Sequence, residues 1–139
     1  MVADKSFDDI YIGEKATHSK TISESDVYIF AGIVGDFNPM HVNEDFSRKT
    51  PFKKRIVHGM LSASLISTVF GTELPGGSSI YLSQEVVFRA PVFIGDTLTA
   101  EVEVIEKRPE KKIIIFYTRV FNQKGKTVVD GKAAIMKNK

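Results

Sequence analysis

The chain has 139 residues, of which 42% are hydrophobic and 26% charged, with a net charge of +2 and no cysteine. This composition fits one domain, and the absence of a dense Lys/Arg stripe argues against nucleic-acid binding. The lack of cysteine excludes disulfides, cysteine-ligated zinc and thiol nucleophiles. No signal peptide is evident and the longest uncharged stretch is too short to span a bilayer, so we expect a cytoplasmic protein that does not enter membranes.

The first third of the chain predicts an extended segment followed by a short helix. Residues 10–22 read as extended. Ser23 then precedes Asp26 by three residues, a variant of the capping-box pattern that starts helices. Apolar residues between 27 and 34 supply the buried side of the helix, and Gly35 is a typical helix-ending residue.

Asp36 and His41 follow, on either side of an Asn-Pro turn. We expect both on that turn, beyond the helix end, because helices commonly stop before proline. Both side chains can transfer protons, and together they could hold one water molecule. The alternative is structural: Asp36 satisfies backbone N–H groups in the turn while His41 is exposed, and spacing alone favours this reading. Ile33, Phe37 and Met40 are expected to provide an apolar surround for the pair.

The middle of the chain contains a basic run and then a charge-free stretch. Residues 42–50 suggest a short helix, and Lys53, Lys54 and Arg55 follow it. Such a run is usually a solvated face, although it can also receive phosphates from a nucleotide-bearing substrate. Residues 59–72 contain no charge and are apolar nearly all round, which predicts a buried helix.

The start of this buried helix is unusual because Gly59 is preceded by no standard capping residue. The first N–H groups of a helix lack internal partners, and an acyl oxygen can approach a glycine N–H closely, as in an oxyanion hole. The alternative is that Gly59 packs closely against a strand. His58 is either a third catalytic group or, more commonly, a histidine that anchors the loop. Ser62, Ser64 and Ser67 are expected to bond to carbonyls four residues back.

The remainder predicts strands separated by turns. Residues 79–88 read as one strand, residues 98–104 alternate strictly between apolar and polar, and residues 113–121 and 127–136 complete the set. Hairpin-length spacing indicates an antiparallel sheet. The predicted fold class is therefore α+β, a curved antiparallel sheet around one buried helix. A second copy of the chain would protect the edges of that sheet.

Several motifs carry a family resemblance. Residues 35–41 (GDFNPMH) and 56–60 (IVHGM) resemble the signature of MaoC-like (R)-specific enoyl-CoA hydratases. The likeness continues in residues 61–67 (LSASLIS), 74–76 (LPG), 79–82 (SIYL) and 91–96 (PVFIGD). The resemblance implies a single hot-dog domain over residues 1–139, usually a homodimer. One departure is Arg55, where members of that family often have proline.

The resemblance also implies an activity and roles for individual residues. Asp36 and His41 would form the catalytic dyad, and Gly59 would polarise the thioester carbonyl. The supporting residues would be Asn38, which holds the turn, and Ser67.

The expected reaction is reversible hydration of a trans-2-enoyl-CoA to an (R)-3-hydroxyacyl-CoA, without metal or other cofactor. CoA or an acyl carrier protein would arrive as part of the substrate, with Lys53, Lys54 and Arg55 as possible phosphate contacts. The alternatives are a 3-hydroxyacyl-acyl carrier protein dehydratase, a hot-dog thioesterase and a non-catalytic acyl-binding subunit.

Overall fold

The structure is a computed structural model of the chain, and it describes residues 1–138. Within that range the strands are β1 (Lys15–Thr21), β2 (Ser79–Gln84), β3 (Val87–Phe88), β4 (Thr97–Arg108), β5 (Ile113–Phe121) and β6 (Thr127–Lys137). The α-helices are α1 (Glu24–Val34), α2 (Pro39–Val42), α3 (Glu44–Arg48) and α4 (Gly59–Thr72), and short 3₁₀ helices cover Phe7–Asp9 and Pro109–Lys111.

The strands form one antiparallel sheet in the order β1-β4-β5-β6-β2, with β3 also paired to β6. Residues along β4 and β5 alternate between buried and less buried positions, as expected for a sheet with one face on the core. Helix α4 packs against β1, β4, β5 and β6. Its Phe70 ring meets the Phe116 ring of β5 at 4.8 Å between centroids. This sheet around a buried helix confirms the predicted hot-dog architecture.

Local sequence signals set several element boundaries. Ser23 and Asp26 form a complete capping box at the start of α1. Gly35 ends that helix in the left-handed region, with φ of 81°, which a residue without a Cβ adopts at little cost. Helix α4 covers residues 59–72 as the charge-free stretch predicts.

Two predictions of local structure are wrong. Residues 79–88 are not one strand, because a bulge lies between Tyr81 and Ser83 and the chain breaks its pairing before β3. At the break, the Glu85 carbonyl lies so close to Gly131 of β6 that a Cβ there would be 1.9 Å from it. His41 is also not on an open turn, since it lies in the single helical turn α2.

The segment between α3 and α4 ties the Asp36–His41 region to the start of α4. The Ile56 N–H donates to the Met40 carbonyl at 3.2 Å, and the Val57 N–H donates to the Val92 carbonyl at 2.7 Å. The first bond holds α2 beside the residues that lead into α4, and the second holds those residues against the segment between β3 and β4. Over residues 1–138, no helix combines the length and apolar character needed to cross a bilayer.

Candidate active site

The turn after α1 fixes Asp36 at one carboxylate oxygen. Asp36 Oδ1 accepts a hydrogen bond from the Asn38 N–H at 3.1 Å, and Asn38 Oδ1 accepts from the Met40 N–H at 3.0 Å. The second of these bonds makes Asn38 the N-cap of α2. Asp36 therefore does serve its own turn, as the structural reading supposed. Its side chain is nevertheless exposed, which leaves Oδ2 available to a ligand.

His41 has a defined tautomer. Its Nδ1 lies 2.8 Å from the Ile56 carbonyl oxygen, and because a carbonyl can only accept, Nδ1 carries the proton. In the neutral ring, Nε2 is then a free acceptor. Burial lowers the pKa of His41 and the nearby His58 acts in the same direction, although the Ile56 hydrogen bond and the Asp36 carboxylate oppose them. The net lowering favours a neutral ring, which is the form that can accept a proton.

The structure brings Asp36 and His41 together with a third group, His58. One carboxylate oxygen and one ring nitrogen from each histidine all lie within 4.8 Å of one another. One water that donates to two acceptors spans about 4.4–4.8 Å between them, since each hydrogen bond is about 2.8–3.0 Å long and the two O–H bonds diverge by about 105°. The spacing of Asp36 and His41 therefore allows them to share one water.

The same three groups are a poor arrangement for a metal ion. The His41 and His58 rings are stacked, with centroids 3.9 Å apart and planes 29° from parallel. Ring lone pairs lie in the ring planes, so those of stacked rings run side by side and do not converge on one ion. The cluster is better suited to proton transfer than to chelation.

Asp36, His41 and Gly59 all line one cavity of about 860 Å³. The rest of its wall is mainly apolar and includes Phe30, Phe52, Val57, Met60, Phe88 and Val129. The expected apolar surround from Ile33, Phe37 and Met40 is not found, because none of the three lines the cavity and Ile33 and Phe37 are exposed. This volume accommodates a substrate of small-molecule size.

Gly59 opens α4 at the wall of this cavity. The N-cap residue is His58, and within the described chain no side chain bonds to the free N–H groups of the first turn. Those N–H groups carry partial positive charge and face a ligand without competition. A Cβ at residue 59 would lie 2.6 Å from Cε1 of Phe88 in β3. Gly59 therefore also packs closely against a strand, which was the alternative explanation for a glycine at this position.

The basic run divides into one engaged residue and two exposed ones. Arg55 donates to the Tyr28 hydroxyl and to Glu24 Oε1, each at 2.8 Å, and its side chain is only 12% exposed. Lys53 and Lys54 are exposed, and Lys54 Nζ lies 4.3 Å from the centroid of the Phe93 ring. The two lysines are therefore free to contact a phosphate, whereas the guanidinium of Arg55 is already bonded to Glu24 and Tyr28.

Ser67 does not lie with the dyad in this structure. It lines a second cavity of about 410 Å³ with Tyr81 and Leu82, whereas Asp36 and His41 line the first. Met60 and Ser64 line both cavities, so the two spaces adjoin along α4. Of the three helix serines, only Ser64 has a carbonyl bond in the described chain, and its partner is Leu61, three residues back.

Phe88 and Arg89 are among the cavity residues that the sequence did not predict. Phe88 is half exposed and covers Gly59, and Arg89 lines the same cavity while pairing with Asp130 at 2.9 Å. The 79–88 segment reads as an ordinary strand, and nothing in its residues indicates that Phe88 turns toward α4. Arg89 has no neighbouring Lys or Arg in the sequence, so it does not read as part of a basic cluster.

The fold and the site together define a hot-dog protein in which a carboxylate and an imidazole lie beside the first turn of the central helix. The chain belongs to the MaoC like domain family, whose pattern matches residues 10–124. It is 54% identical over 130 residues to an (R)-specific enoyl-CoA hydratase of Rhodospirillum rubrum, covering 94% of this chain and 90% of that protein. Over 124 residues it is 47% identical to the (R)-specific enoyl-CoA hydratase of Aeromonas caviae, covering 89% and 92%.

A solved structure supports the same grouping. The unliganded R-hydratase from Pseudomonas aeruginosa matches with a TM-score of 0.94 and 46% identity, over 98% of this chain and 87% of that one. The recognition of the family from the sequence motifs is confirmed.

Proposed function

We propose that this protein is an (R)-specific enoyl-CoA hydratase, which adds water reversibly to a trans-2-enoyl-CoA to give an (R)-3-hydroxyacyl-CoA. The observation that carries the proposal is the placement of Asp36 and a neutral His41, close enough to share one water, in the same cavity as Gly59. The named relatives support both the reaction and its stereochemistry, since two of them are (R)-specific enoyl-CoA hydratases.

In the proposed mechanism, the thioester carbonyl lies against the Gly59 N–H at the positive end of α4. One such donor contributes about 3 kcal/mol to an oxyanion-like transition state. The water lies between Asp36 Oδ2 and His41 Nε2. His41 takes one proton as the water oxygen bonds to C3 and the C2–C3 π electrons move toward the carbonyl. The resulting imidazolium, beside the Asp36 carboxylate, returns that proton to C2.

Asn38 and Ser67 have supporting roles in this proposal. Asn38 holds the turn through its backbone N–H to Asp36 and its side-chain cap of α2. Ser67, in the adjoining cavity, is placed to meet the acyl part of a substrate that extends along α4. The reaction needs no metal or redox group, because every step is a proton transfer or a bond formed by water.

The CoA moiety is expected at the exposed basic residues Lys53 and Lys54, which follow the cavity residue Phe52 in the chain. Arg55 is already held by Glu24, so the proposed phosphate contact rests mainly on the two lysines.

We further propose that residues 1–139 form one domain that acts as a homodimer in the cytoplasm. Strand β2 is an edge of the sheet, and its consecutive residues Ile80, Tyr81 and Leu82 are 41–46% exposed. An unpaired edge that presents large apolar side chains favours pairing with a second copy. Light scattering should give twice the mass of the chain, whereas a monomer at micromolar concentration would argue against this part of the proposal.

The test of the function is turnover of enoyl-CoA substrates over a chain-length series, followed by the loss of absorbance of the conjugated double bond. Comparing kcat/KM for CoA and acyl carrier protein thioesters decides between the hydratase and the carrier-protein dehydratase. A thiol reagent in the same assay detects a thioesterase, which releases free CoA. Binding of the thioester without turnover would indicate the non-catalytic acyl-binding subunit and contradict the proposal.

A further inference from the structure

His58 contacts both members of the dyad from a buried position. It is only 1% exposed, and its Nε2–H donates to the Asp36 carbonyl oxygen at 3.0 Å. Its ring stacks on the His41 ring at 3.9 Å and meets the Phe30 ring at 4.9 Å. Two residues earlier, the Ile56 carbonyl accepts from His41 Nδ1. The short segment before α4 therefore holds the two dyad residues by separate hydrogen bonds.

Burial of His58 lowers the stability of the fold, because one of its ring nitrogens has no hydrogen-bond partner in the described residues. Since Nε2 carries the proton, Nδ1 is an acceptor, and it has no hydrogen-bond partner anywhere in residues 1–138. Ser62 Oγ, one helical turn further along α4 and fully buried, is likewise unpartnered within that range, whereas Ser64 and Thr72 on the same helix bond to carbonyls. A buried unsatisfied polar atom costs about 1–3 kcal/mol, so the imidazole is retained at some expense to stability.

Resting on the proposed hydratase function, we propose that His58 is a positioning residue for the reaction. Its Nε2–H holds the backbone at Asp36, and its ring is the surface against which the imidazole of His41 is held. Neither contact reaches the substrate directly. The effect is transmitted through the two groups that share the water, and displacement of such a group by about 1 Å can cost on the order of 100-fold in rate.

The stacking also has a consequence for the charge of His41. The stacked His58 ring covers one face of the His41 ring, and this burial disfavours a positive charge on His41. The other ionisable group facing His41 is Asp36, whose carboxylate favours the charged form. Removing the imidazole at residue 58 admits water to that face of His41 while the Asp36 carboxylate stays in place, so protonation of His41 becomes easier.

The test compares two amide substitutions that differ in reach. In His58→Gln the amide nitrogen can occupy the position of Nε2 and keep the bond to the Asp36 carbonyl. In His58→Asn the amide nitrogen occupies the position of Nδ1 instead, so the hydrogen bond to the Asp36 carbonyl is lost. We expect His58→Asn to lower kcat by up to about 100-fold with little change in KM. His58→Gln should recover about tenfold of that loss, the value of one hydrogen bond. His18→Gln, on strand β1, is the control.

A pH profile separates positioning from folding. Both variants lack the imidazole, so the acid limb of kcat/KM should move to higher pH in each. NMR titration of the His41 ring should show its pKa higher in His58→Gln than in the parent, a readout that needs no substrate. Failure of the parent protein to hydrate enoyl-CoA would instead refute the proposed function. Equal kcat values for the two folded variants, or an unmoved His41 titration, would overturn the role of His58.

Discussion

Substitution of Gly59 by alanine tests how the start of α4 receives the substrate. The new Cβ would lie 2.6 and 2.7 Å from two carbons of the Phe88 ring. The ring therefore has to move by about 1 Å to regain an ordinary carbon–carbon separation of about 3.5 Å. Because Phe88 lines the same cavity, this movement disturbs the space in which the thioester approaches the residue 59 N–H. We expect kcat/KM for crotonyl-CoA to fall by about 100-fold, comparable to the loss of one oxyanion donor.

The chain provides a matched control on the same helix. A Cβ at Gly71 would meet nothing within 4 Å in the described residues outside its own helix backbone. Gly71→Ala should therefore raise the free energy of unfolding by about 0.5–1 kcal/mol, as expected for alanine in a helix, and leave kcat/KM unchanged.

A double-mutant cycle isolates the role of Phe88 in this prediction. If the loss arises from the displaced ring, Gly59→Ala should cost less than about tenfold when Phe88 is already alanine, because the clash is gone and the N–H remains. Steady-state kinetics of the four proteins give the coupling. The same factor in both backgrounds would show that the Phe88 ring is not the cause, and full activity of the single Gly59→Ala variant would show that residue 59 tolerates a Cβ during catalysis.

Three further predictions follow from the site. Asp36→Asn keeps an acceptor for the Asn38 N–H, and His41→Asn keeps a donor for the Ile56 carbonyl, so both variants should fold. Each removes a group that transfers or holds a proton, and kcat should fall at least about 100-fold. Near-normal turnover in a folded variant would refute the catalytic role of that residue. Because burial lowers the pKa of His41 and a neutral ring is required, the acid limb of kcat/KM should lie below about 6.5, the usual histidine value; a limb at or above that value contradicts this assignment. The double variant Lys53→Gln/Lys54→Gln should raise KM for enoyl-CoA but not for the pantetheine thioester, which lacks the nucleotide phosphates. An unchanged KM for enoyl-CoA would show that the two lysines are only solvent-exposed and do not bind phosphate.

Much of the fold follows from signals within single segments. The capping box at Ser23 and the glycine after α1 determine that helix locally, since their hydrogen bonds join neighbours in sequence. The uncharged residues of 59–72 predict the buried helix because charge there would lack both water and partners. The alternation in β4 follows from the period-two geometry of a strand.

The site depends more on contacts between distant segments, which periodicity does not encode. The bond from His58 to the Asp36 carbonyl joins residues 22 apart, and the Arg55–Glu24 pair joins residues 31 apart. The packing of Phe88 over Gly59 likewise requires the break between β2 and β3. Motif resemblance named the dyad, but only the assembled fold shows which nitrogen of His41 is free and that a second imidazole is stacked upon it.

The stereochemistry of the product is the decisive measurement for the proposed hydratase activity. Purified protein is incubated with a trans-2-enoyl-CoA, and the 3-hydroxyacyl product is analysed by chiral chromatography for the parent and for Asp36→Asn and His41→Asn. We expect the (R) enantiomer from the parent and little product from either variant. An (S) product, free CoA in place of a hydroxyacyl thioester, or undiminished (R) product from both folded variants would contradict this expectation.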